Sequence, residues 1–79
     1  MGLQAVYEHG AMVVHDIFAP PENVPLQQGD RIVRVDKHII ASDADWFVVL
    51  MNLQVGKPLT FEIRRDNESR QVSVTAAGR

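Results

Sequence analysis

The chain has 79 residues, 46% of them apolar and 23% charged, a net charge of −2 and no cysteine. That size and composition give one small globular domain with a modest core, and they exclude disulfide and thiolate chemistry. Lysine and arginine are scattered, so no basic patch points to nucleic acid or to an anionic membrane surface. No apolar run approaches the ~20 residues of a membrane-spanning helix. No secretory signal opens the chain, and the segment is expected to be a fragment of a longer protein.

Residues 3–6 (LQAV) predict a short strand and residues 7–10 (YEHG) a turn. Residues 11–18 (AMVVHDIF) alternate, with Val13, His15 and Ile17 on one face and Val14, Asp16 and Phe18 on the other; with their β-branched residues they predict a second strand. The next twelve residues hold three prolines and a Gly-Asp pair. They predict an irregular connection with room for one short helical turn. Residues 31–35 (RIVRV) read as a strand with Val33 and Val35 on one face; Asp36-Lys37 turns, and residues 38–40 (HII) form a further short extended piece.

Ser42 precedes Asp45 by three residues, which is a capping-box spacing with Asp in place of Glu or Gln. Asp43 and Asp45 also suit a helix N-terminus electrostatically. With Gly56 as a stop, residues 43–54 predict a helix; the competing reading of WFVVL, residues 46–50, is a buried strand. After it, Leu59, Phe61 and Ile63 alternate inward against Thr60, Glu62 and Arg64 outward. Asp66-Asn67 is a turn signal, and Val72, Val74 and Ala76 point inward along the last strand. The sum is an α+β fold: a small, partly open barrel or sandwich of five to six strands, capped by one main helix and a short helical turn.

The pattern contains no catalytic constellation. The carboxylates stand singly, His9, His15 and His38 lack metal-ligand spacing, and Ser42 has no G-x-S-x-G context. No metal or other cofactor is expected. The helix carries the one unusual feature. At 100° per residue Trp46, Val49 and Leu53 share a face, and Phe47, Leu50 and Gln54 share the neighbouring one, with Met51 at its edge. The second face is either buried under another element or forms one wall of a groove beside an exposed strand edge, into which an extended peptide can add as a strand. Val48 fits neither face.

The stretch APPENVPLQQGDRIVRVDKHII resembles the centre of a bacterial PDZ domain, with Pro20, Val24, Leu26, Gly29, Asp30, Ile32, Val35, Asp36 and Ile40 in register with the family pattern. VGKPLTFEIRRD resembles the segment that follows the family's helix. The closing QVSVTA resembles the circularly permuted bacterial arrangement, in which the strand that opens the animal domains comes last. The resemblance covers residues 11–76 and is nearest to the PDZ domains of HtrA-type, tail-specific and site-2-type proteases. Departures are Pro25 in place of a glycine, Lys37 after Asp36, and Asn67-Glu68 at the last turn. The family's carboxylate-binding loop is matched only by Gly2-Leu3-Gln4-Ala5, or is cut short at Met1-Gly2.

The resemblance implies a non-enzymatic, protein-protein interaction module. It implies binding of an extended, apolar, C-terminal peptide by β-strand addition, for substrate recognition or regulation in a larger bacterial protein. The peptide-binding residues it implies are Gly2, Leu3, Gln4, Ala5, Phe47, Leu50 and Met51, with Asp43 at the first helix position. Affinity is expected near Kd ~1 μM or weaker, roughly −8 kcal/mol, sufficient for a tethered module. The alternative is an intramolecular docking or regulatory domain that binds no free peptide. The isolated domain is expected to be a monomer without direct membrane contact, in an extracytoplasmic setting.

Overall fold

The computed structural model describes residues 2–76. Its strands are β1 (Leu3–Glu8), β2 (Ala11–Ile17), β3 (Arg31–Val35), β4 (His38–Ile39), β5 (Pro58–Arg65) and β6 (Glu68–Thr75), and its helix is α1 (Asp43–Met51), between β4 and β5. The strands form one antiparallel sheet in the order β1-β2-β3-β5-β6, with the short β4 paired to β3. The α+β architecture is as expected, as an open six-stranded sheet with one helix and not a closed barrel. The short helical turn lies at Pro21–Asn23, where the amides of Asn23 and Val24 both donate to the Pro20 carbonyl.

Two hairpins set the ends of the sheet. Strand β1 runs on through Tyr7 and Glu8, so the turn is confined to His9-Gly10, between the paired residues Glu8 and Ala11. Both turn residues take positive φ, 51° and 81°. Asp66 and Asn67 do the same between Arg65 and Glu68, at 52° and 66°. Positive φ at both positions is the type I′ geometry, whose twist matches that of the flanking strands.

The core is built on Met12, Val14, Ile32, Val35, Phe61, Ile63 and Val74 from the sheet, Val24, Leu26 and Ile40 from connections, and Trp46 and Val49 from α1. Simple alternation fails in two strands, for the same reason. In β2 the pairing passes from Ala5↔Val14 to Gln4↔Asp16, leaving His15 as an extra residue. This β-bulge turns Met12 and Val14 inward before it and Ile17 inward after it, so the expected Val13/His15/Ile17 face does not exist. In β3 the pairing passes from Ile32↔Ile63 to Arg34↔Glu62, and Val33 is extra. The inward pair is therefore Ile32 and Val35, not Val33 and Val35.

Candidate functional site

The N-terminus of α1 is tied down on three sides. Ser42 is the N-cap in extended conformation, and its Oγ accepts from the Asp45 amide at 3.4 Å. Asp45 reaches back in turn, accepting from the Ala41 amide at 2.9 Å and from the Ser42 hydroxyl at 3.2 Å. His38 Nε2 on β4 sits 3.1 Å from the other Asp45 oxygen. These partners, the Ala41 amide first and His38 next, hold the Asp45 carboxyl below the ordinary carboxylate range. Tyr7 Oη on β1 donates to the Ala41 carbonyl at 2.9 Å, so β1 and the helix entrance meet at one residue.

Along α1, Trp46 and Val49 are buried, and the Trp46 ring meets Phe61 edge-on at 6.1 Å. The helix ends at Met51, three residues short of the expected end. Asn52 stops it: its backbone amide donates to the Val48 and Val49 carbonyls, and its side chain caps the Val48 carbonyl at 2.9 Å. Leu53 is half-buried beyond that end, and Gly56 lies in a later turn. The neighbouring face is open: Phe47 is 61% exposed, Leu50 38% and Met51 71%. The reading of WFVVL as a buried strand is thereby excluded.

Strand β1 is the end of the sheet and, among the described residues, pairs only with β2. Leu3, Ala5 and Tyr7 pack their side chains on the core, while Gln4 and Val6 are exposed. The free polar groups of its outer edge follow from β2. Val14 uses its amide on Asp30 O and its carbonyl on Gly29 N, facing away from β1. Its partner Ala5 then stands at a non-hydrogen-bonded position, and alternation puts Ala5 and Tyr7 N–H and C=O on the outer edge. Before the bulge, Gly2 O accepts from Phe18 N at 2.7 Å and Ala19 N at 3.1 Å, which leaves Leu3 facing outward as well. Gly2 takes φ +101°, and a Cβ there would lie 2.5 Å from the Ala19 Cβ. No other residue type fits so close an approach at that angle.

On the other flank of α1, a cavity of about 360 Å³ is lined by Val35, Asp36, Lys37, His38, Val48, Val49, Asn52 and Leu59. It contains none of the residues expected to meet a peptide, and it gives Val48 its place. Sequence reasoning missed the Tyr7–Ala41 and His38–Asp45 contacts. Tyr7 reads as a turn residue and meets Ala41 across 34 residues of chain, while His38 and Asp45 meet across the short connection from β4 to α1.

A family model for the PDZ domain matches residues 1–76. The chain belongs to the PDZ family. No curated protein matches the sequence. A PDZ domain is a peptide- or protein-interaction module and not a catalyst, and six strands with one helix are the arrangement that this PDZ domain shows. Among the described residues no helix is long and apolar enough to cross a membrane.

Proposed function

We propose that this PDZ domain takes an extended peptide with an apolar C-terminus as an added strand along β1, against α1. One observation carries the reading: the apolar face of Phe47, Leu50 and Met51 is left uncovered on the same domain as an unpaired β1 edge. Leu3, Ala5 and Tyr7 supply the outward backbone groups for the added strand. The amides at Gly2 and Leu3 receive the terminal carboxylate by charge-assisted hydrogen bonds. Gln4 lies between Leu3 and Ala5, with its side chain exposed.

The Tyr7–Ala41 bond supports the direction. It fixes the far end of β1 at the helix entrance, so Asp43 meets upstream ligand residues and Leu50 and Met51 meet the last one. The hairpin that pairs β6 with β5 supports the permuted strand order of the bacterial type. A role in substrate recognition or regulation within a larger extracytoplasmic protein follows from that type.

Titration with one apolar peptide in two forms, free-acid and C-terminally amidated, tests the proposal by NMR. The free acid is expected to shift the amides of Leu3, Ala5 and Tyr7 and the Phe47 ring, with Kd ~1 μM or weaker, and the amide form to bind more weakly. If neither form moves these signals, the groove reading is wrong.

A further inference from the structure

We propose that the opposite edge of the sheet, the outer side of β6, pairs two copies of this domain antiparallel about a two-fold axis at Gln71. The edge can be read residue by residue. Thr75 donates its amide to Asn23 O at 2.8 Å, away from β5, and faces Pro58, which has no N–H to offer. The register between β5 and β6 is unbroken over its whole length. Alternation therefore directs the N–H and C=O of Ser73, Gln71 and Ser69 outward too, with no strand beside them among the described residues. All three residues are exposed.

Edge strands are ordinarily guarded by a proline, a bulge, an inward charge or a lysine on the edge. Strand β6 has no proline, no lysine and no bulge, and its two charges, Glu68 and Arg70 on the core face, are taken up by each other in an ion pair at 3.0 Å. It is also as long as any strand in the sheet, eight residues. The occupant follows from what borders the edge. Helix α1 lies closest to β4 and not to β6, so a foreign peptide on β6 would lie away from the helix's exposed apolar face, which is what would select its side chains. A second copy offers the same three outward residues in return.

The register is set by elimination. Centred on Gln71, Ser69 lies across from the second copy's Ser73, and Gln71 lies across from its own counterpart. On the other face Arg70 lies across from the second copy's half-buried Val72. Arg70 keeps its ion pair with its own Glu68 at 3.0 Å, while its aliphatic stem covers that valine. Centred on Arg70, two guanidinium groups would face each other directly. Centred on Val72, the pairing would call on the Thr75 amide, which Asn23 already holds. The Asn23 loop thus also marks where the second copy's strand must stop. Such a contact is small, so the dimer is weak and the isolated domain is monomeric when dilute.

Sedimentation equilibrium tests it, combined with amide exchange at low and high concentration. From about 10 μM to about 1 mM the average mass is expected to rise toward twice the monomer, in the range of weak association. The amides of Ser69, Gln71 and Ser73 should exchange more slowly as it does. Gln71→Lys, on the solvent face beside Glu62, sets two like charges against each other and should stay monomeric. Gln71→Pro, at an amide that β5 does not use, should do the same with the β5–β6 hairpin intact. Phe47→Ala should dimerise as the parent does, which separates this edge from the peptide groove. A chain that stays monomeric at about 1 mM overturns the proposal. So does dimerisation that survives Gln71→Lys, or protection that builds at Leu3, Ala5 and Tyr7 instead.

Discussion

Arg65 holds Asp30 in a two-pronged ion pair, Nε to Oδ1 at 2.8 Å and Nη2 to Oδ2 at 2.7 Å. The carboxylate is buried and also accepts from the Gln27 amide at 2.9 Å, so it closes the Leu26–Asp30 connection onto the end of β5. Asp30 closes the stretch Leu26-Gln27-Gln28-Gly29-Asp30 that is in register with the family pattern, and its place there is structural.

The two partners are not equivalent. Arg65→Met strands a buried carboxylate and is expected to cost about 3–5 kcal/mol. Asp30→Asn leaves the guanidinium, which is closer to solvent, and is expected to cost about 1–3 kcal/mol. Urea unfolding of both variants checks the order. Equal losses would mean that the arginine is as trapped as the aspartate.

The two helix faces should separate by phenotype. Trp46→Ala empties the contact with Phe61 and is expected to cost about 3–5 kcal/mol. Phe47→Ala should change stability by no more than about 0.5 kcal/mol while weakening peptide binding at least about tenfold, or 1.4 kcal/mol. Leu50→Lys should abolish binding with a nearly intact fold. Thermal unfolding and peptide titration of the three variants together read this out. Unfolding of Leu50→Lys would place that side chain in the core.

Acid should loosen the entrance of α1. The folded-state pKa of Asp45 is depressed, chiefly by the Ala41 amide and then by His38. The stability it contributes is therefore present above the unfolded carboxylate value of about 3.9 and lost as pH falls through the lower folded value. Asp45→Asn should flatten the stability profile in that window. A profile identical to the parent's would show that other carboxylates set the acid limb.

Gly2→Ala should be disruptive out of proportion to its size. It adds a methyl 2.5 Å from the Ala19 Cβ at φ +101°. A cost of about 1–3 kcal/mol is expected, together with displaced Leu3 and Phe18 amide signals. Gly10→Ala, where nothing lies within 4 Å of the added methyl, is the control for φ alone.

The motif from Leu26 to Asp36, the cap at Ser42, the alternation of β5 and β6 and the Asp66-Asn67 turn were all legible in the sequence. Each is a local pattern with a local cause. The inward faces of β2 and β3 were not. Each carries one residue too many for its partner, and an extra residue shows only when the partner strand is known. The helix end was misjudged because Gly56 signals a turn more loudly than Asn52 signals a cap. At the site, spacing divides α1 into a Trp46/Val49 face and a Phe47/Leu50 face but leaves open whether the second is covered, and the assignment of Phe47, Leu50 and Met51 to a peptide is what the family resemblance implies. The ties at Ala41 were not, since Tyr7 reaches it across 34 residues of chain.

The bulge in β2 has a meaning for chain length. Remove His15, and Met12, Val14 and Ile17 fall into plain alternation, with the pairs on either side of the gap joined directly. The extra residue is an insertion whose frame error is corrected where it arises. A domain one residue shorter at this point should keep the same core and the same β1 edge. Lengthening or shortening the chain by one anywhere else in β2 would turn half of the strand inside out.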